Sequence, residues 1–106
     1  MVVREWRGRA DPARESSYPA HFRTAVLPEL RLLDGFLGAS LCRREVPDGV
    51  EFLVLTRWRS IDAVRRFAGA EPDRAVVEPG AVAALTGFDD FVRHYEVIEE
   101  AAAPAA

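Results

Sequence analysis

The sequence predicts an α+β fold, a ferredoxin-like β-α-β-β-α-β unit with a four-stranded antiparallel sheet and two helices on one face. Three observations predict it. β-prone runs at residues 2–8, 36–46, 50–59 and 91–98 are interleaved, in that order, with two amphipathic stretches. Pro47-Asp48-Gly49, between the second and third runs, is the turn chemistry of a hairpin. In the third run Phe52, Val54, Thr56 and Trp58 alternate with Leu53, Leu55 and Arg57, so both faces of that strand are largely apolar.

The first run owes its β preference to Val2, Val3 and Trp6 and is stopped by Gly8 and Asp11-Pro12. Asp11 stands where an N-cap belongs and Pro12 where its missing N–H does no harm, so a helix starts there. Tyr18, Phe22, Ala25, Val26, Leu30 and Leu33 give it one apolar face. Pro19 and Pro28 predict a kink or break near one or both, and Asp34-Gly35 ends the segment. Ser60 caps a second helix with Ile61, Val64, Phe67 and Ala68 on one side, Arg65 and Arg66 outward, and Gly69 at its end. Residues 71–90 form a mixed connection with one short helical stretch at 81–85, and 91–98 alternate as the last strand. Residues 1–98 are expected to form one domain, followed by a frayed alanine-rich tail at 99–106. We read the first and third strands as parallel at the sheet centre, which would gather Trp6, Trp58 and His94 at one end with Tyr18, His21 and Phe22 in reach. The helices cover only one face of the sheet, so its apolar other face is expected to pair with a second copy, sheet to sheet.

Composition narrows the chemistry. The chain has 106 residues, 49% hydrophobic and 29% charged, which suits one domain of about 100–150 residues. Its net charge of −3 lacks the basic footprint of a nucleic-acid binder. All 14 basic residues are arginine. With no lysine there is no Schiff-base nucleophile and no P-loop lysine, and with no Asn or Gln no side-chain amide can orient a substrate. The single cysteine, Cys42, cannot form an intramolecular disulfide and is expected to be a buried, inert thiol, consistent with a cytoplasmic protein. No apolar run approaches the ~20 residues that span a bilayer, and the N-terminus reads as unexported. No metal-ligand spacing is present, and Asp89-Asp90 reads as a turn before the last strand.

Several stretches carry a family resemblance: Gly35-Phe36-Leu37-Gly38-Ala39; residues 51–60 (EFLVLTRWRS) running into 63–69 (AVRRFAG); Ala75-Val76-Val77; and His94-Tyr95-Glu96-Val97. They are similar to the antibiotic biosynthesis monooxygenase family of dimeric α+β barrels. The resemblance covers most of the chain and is most specific where a tryptophan ends the third strand before Ser60 and its helix. It implies a homodimer with a ligand cavity in each protomer between sheet and helices. In some members it implies oxidation of aromatic polyketides by dioxygen without cofactor, so no cofactor is expected. The haem-degrading branch carries an Asn on the first strand, a Trp in the helix after the third and a His beyond it. This chain has no Asn, Phe67 in that helix and Val77 in place of the His.

A cofactor-free oxygenase needs a base that leaves the substrate as an electron-rich anion, and an aromatic pocket to hold it. His94 is the first candidate base and His21 the second; Trp6, Tyr18, Phe22, Trp58, Phe67 and Arg4 are the candidate pocket. Each also reads as structure. His94 could be a hydrogen-bonded strand residue or face a dimer partner. His21 could be solvated on the polar side of its helix, the tryptophans and Phe67 could fill the core, and Arg4 could pair with Glu96 across the sheet. Three functions follow: a homodimeric monooxygenase for an aromatic or polyketide-like substrate, a non-catalytic binding or stress-related module holding a hydrophobic aromatic molecule, and a packed dimer without a pocket. A cavity above about 300 Å³ would count against the third.

Overall fold

Side-chain parity on two central strands sets the architecture. The computed structural model describes residues 1–105. In it β1 (Val2–Ala10) lies between β3 (Gly49–Trp58) and an edge made by β4 (Gly87–Phe88) and β5 (Arg93–Glu96), and β2 (Phe36–Val46) forms the other edge beside β3. All pairings are antiparallel. Arg4, Gly8, Ala10, Val50, Phe52, Val54, Thr56 and Trp58, the even positions, are buried on the helix side. Glu5, Arg7, Leu53 and Leu55 are half-buried on the opposite side.

The central strands run antiparallel, which corrects the parallel reading. Val2 lies opposite Trp58 and Ala10 opposite Val50. Connectivity explains it: the helical crossover returns β2 parallel to β1, and the tight hairpin then lays β3 between them in the reverse sense. Trp6 is therefore opposite Val54. It stands four residues, about 13 Å, along β1 from the level of Trp58.

The first crossover begins as expected, with Asp11 accepting the Ala13 N–H at 2.9 Å over a 3-10 turn at Pro12–Arg14. It continues through α1 (Ser17–His21), a π-helical turn (Phe22–Val26) and α2 (Leu27–Leu30). Pro19 falls in the first turn of α1, where no donor is needed, so it breaks nothing. Ahead of Pro28 the helix widens: the Leu27 N–H donates to the Phe22 carbonyl, five residues back. The widening has a packing consequence. Tyr18, Phe22, Val26 and Leu30 recur every four residues, and on an ideal α-helix each step would drift about 40° around the axis. The wider turn takes up that drift and keeps all four toward the sheet.

Gly35 has φ +87°, and a Cβ there would come within 2.5 Å of the Ala63 Cβ, so glycine lets this turn press onto α3 (Ile61–Ala68). Ser60 caps α3 by accepting the Ala63 N–H at 3.2 Å. The short helix expected at 81–85 is α4 (Pro79–Ala84), started by its proline. One core cluster joins Tyr18 and Phe22 to Val50, Phe52, Val54, Ala81 and Ala84. A second joins Leu30, Trp58, Ala63 and Val64.

Two further expectations are corrected. The last strand is two pieces, because residues between them turn away from β1 and pair with the preceding loop. The Val92 N–H donates to the Asp73 carbonyl at 2.8 Å and the Ala75 N–H to the Asp90 carbonyl at 2.9 Å. Cys42 is exposed, since it sits on the edge strand β2, opposite Leu53 and so on the side away from the helices. Residues 97–105 carry no regular secondary structure, and position 106 of the tail lies outside the described residues.

Candidate functional site

Between the sheet and the helices lies a partly open cavity of about 70 Å³. Its floor is Arg4, Trp6, Val54 and Thr56 from the sheet. Tyr18, His21, Phe22, Val26 and Leu30 from the first crossover form one wall, Phe67 of α3 another, and Val76, Glu78, Ala81 and Val92 the roof. The volume holds a few waters, at ~10–15 Å³ each, or dioxygen. It falls below the ~300 Å³ of ordinary small-molecule sites, the mark set against a pocketless fold.

Five of the six expected pocket residues, Arg4, Trp6, Tyr18, Phe22 and Phe67, line this cavity. Trp58 does not. It is wholly buried behind Phe67, stacked on that ring at 5.4 Å, edge-on to Phe36, and donates its indole N–H to Thr56 Oγ1 at 2.8 Å. Trp6 packs on Tyr18 at 5.7 Å and donates its N–H to the Asp89 carbonyl. Tyr18 is 4% exposed; burial, and secondarily Glu78, pushes its phenol upward in pKa, so it stays a neutral hydroxyl.

Arg4 forms no pair with Glu96, which lies opposite Val2. The residue opposite Arg4 is His94, and the guanidinium donates to His94 Nε2 at 3.0 Å, to the Pro72 carbonyl and to the Arg74 carbonyl at 2.8 Å. Burial pushes its pKa down to about 10, which leaves it charged at neutral pH. Because arginine can only donate, His94 Nε2 is the acceptor, so Nδ1 carries the proton and donates to Asp73 Oδ1 at 3.2 Å. Both ring nitrogens of His94 are thus engaged, and the residue is absent from the cavity lining.

His21 stands differently. Its side chain is 14% exposed, so it is not the solvated residue its helix position suggested. Nε2 is sealed from water with no hydrogen-bond partner, 4.0 Å from Glu78 Oε2. The ring lies against Gly80, where a Cβ would come within 2.7 Å of Nδ1 and Cε1. An unpaired buried ring nitrogen costs about 1–3 kcal/mol, relieved when a partner arrives. Glu78 and Thr56 are the site residues that sequence reasoning passed over. Glu78 lies in the irregular connection, while the parity that buries Trp58 also buries Thr56. Among the described residues no group of three His, Cys, Asp or Glu side chains is placed to hold a metal ion, and no helix is long and apolar enough to cross a membrane.

Comparison with known proteins gives a consistent picture. A family model described as antibiotic biosynthesis monooxygenase matches residues 1–79. No curated protein matches the sequence. Among solved structures, a Deinococcus radiodurans protein described as an antibiotic biosynthesis monooxygenase is 17% identical with TM-score 0.64, over 99% of this chain and 100% of that one. The ActVA-Orf6 monooxygenase of Streptomyces coelicolor, solved with nanaomycin D, is 22% identical with TM-score 0.60, over 98% of this chain and 92% of that one. SnoaB of Streptomyces nogalater, described as a cofactor-independent oxygenase, is 19% identical with TM-score 0.54, over 93% of each chain. At these identities the likeness shows the fold.

Proposed function

The chain belongs to the antibiotic biosynthesis monooxygenase family, and from that premise we propose that it is a cofactor-independent monooxygenase for a small hydroxylated aromatic substrate. The observation that carries the reading is His21, a largely buried imidazole with a sealed, unpartnered Nε2 on the wall of an aromatic-lined cavity. Trp6 supplies a ring face for stacking, and Glu78 stands 4.0 Å from Nε2, placed to stabilise the imidazolium formed on proton uptake. Admission of a ring requires the roof to lift. That roof is residues 76–78 with α4, beyond the stretch at 72–75 that Arg4 and residues 90–92 hold in place.

The step balances. His21 takes the phenolic proton, and the phenolate passes one electron to dioxygen. The substrate radical and superoxide couple at a ring carbon, and O–O cleavage with loss of that carbon's hydrogen leaves a quinone oxygen and hydroxide. The hydroxide takes the proton back from His21 and leaves as water. One oxygen atom ends in the quinone and one in water, and all four electrons come from the substrate. We place this activity in one domain over 1–98, acting in the cytoplasm as a homodimer paired through the open sheet face.

Oxygen uptake by metal-free protein over a panel of naphthols and anthrols tests the reading. Turnover is expected, with His21→Gln lowering kcat by 10²-fold or more. Binding of the panel with no oxygen uptake would replace the enzyme by a sequestering module. Unchanged turnover in His21→Gln would remove the assigned base.

A further inference from the structure

We propose that the cavity selects anionic ligands, aromatic carboxylates or phenolates, through the buried guanidinium of Arg4. The inference rests on reading this cavity as a small-molecule site and adds the charge of what enters it. Arg4 is 4% exposed and lines the cavity floor. Its three hydrogen bonds go to neutral acceptors, the carbonyls of Pro72 and Arg74 and the Nε2 of His94. Its Cζ lies 5.5 Å from the centre of the Phe67 ring. No carboxylate among the described residues lies within ion-pair distance of it. Asp73, outside the cavity, is held one group away on the far nitrogen of His94, and the two acids that line the cavity, Glu29 and Glu78, make no pair with it.

A guanidinium has five N–H donors, and these bonds use three, two on Nη1 and one on Nη2. The two left over are on the adjacent nitrogens Nε and Nη2, in a fork whose geometry suits a planar carboxylate. Dipoles and a ring face hold the charge in place, and Asp73, the carboxylate that acts on it, stands beyond His94 without bonding it. An anion entering the cavity would take up both free donors. A neutral isostere would leave the same charge unpaired, which is the condition for strong discrimination.

The test compares benzoate with benzamide by isothermal titration calorimetry on the whole chain at physiological salt. Benzoate is expected to bind at least tenfold tighter, and Arg4→Met to abolish that preference. Arg4 also ties down residues 72–74, so this variant could fail to fold. The second measurement therefore uses wild-type protein labelled with [15N]arginine, whose Arg4 Nε resonance is expected to shift with benzoate and stay fixed with benzamide. Equal affinities, binding of neither probe, or an Arg4 signal indifferent to benzoate would each overturn the proposal. Oxygen uptake plays no part in these measurements, so the anion site and the oxygenase reading stand or fall separately.

Discussion

Arg4 donates to His94 Nε2 at 3.0 Å across the β1–β5 ladder, and this one bond fixes the tautomer, the charge state and the isolation of His94. Burial first, and Arg4 second, hold the imidazole below its ordinary pKa of 6.5, against the opposing pull of Asp73. The folded chain therefore binds this proton less readily than the unfolded chain. The stability that depends on neutral His94 is complete above pH 6.5 and declines as the pH falls below it toward the folded value. His94→Gln can keep both hydrogen bonds without titrating. Thermal melts from pH 7.5 to 5 are expected to show wild type losing more stability than the variant. Parallel curves would show that the Arg4–His94 contact is not felt in solution.

Gly80 gives His21 its place. Alanine suits a helix better than glycine by about 1 kcal/mol, yet here its Cβ would stand 2.7 Å from His21 Nδ1 and Cε1. Gly80→Ala is expected to fold, with urea stability within about 1 kcal/mol of wild type, and to lose about tenfold or more in oxygen uptake as the ring is pushed from its seat. Wild-type turnover in a folded Gly80→Ala protein would show that the position of this imidazole is immaterial.

The sheet face away from the helices predicts self-association. Several of its charges are paired within the chain, Arg7 with Glu5 at 2.6 Å and Arg44 with Glu51 at 2.9 Å, while Arg57 donates to Ser40 Oγ at 3.3 Å; Val3, Leu53 and Leu55 lie among them. A standard interface of about 800 Å² per partner would cover them. Sedimentation equilibrium is expected to give twice the chain mass for wild type and a monomer for Leu55→Asp. A monomeric wild-type chain at micromolar concentration would remove the dimer from the functional proposal.

How much of the site was legible depended on whether a residue's place followed from local pattern. Trp6, Tyr18, Phe22, Phe67 and Arg4 sit on strands and helices whose inner faces alternation and spacing reveal, and all five line the cavity. The surroundings of the two histidines were not legible in this way. His94 lies on a regular strand, but what engages it is Asp73 in an irregular loop and Arg4 on another strand. His21 looked solvated because α4, which covers it, comes from a connection whose path has no periodicity to read.

The sequence by itself determined the order of the elements, the caps at Asp11 and Ser60, the hairpin at 47–49 and the buried parity of β1 and β3. Each is set by residues within a turn or two of one another, where backbone sterics and hydrophobic alternation act locally. Only the tertiary structure decided that the last strand breaks so residues 90–92 can pair with 73–75, and that Arg4 reaches across to the Pro72 and Arg74 carbonyls. These depend on contacts between residues some 15 to 90 positions apart. There the free energy of satisfying buried backbone groups and one buried charge outweighs any local preference.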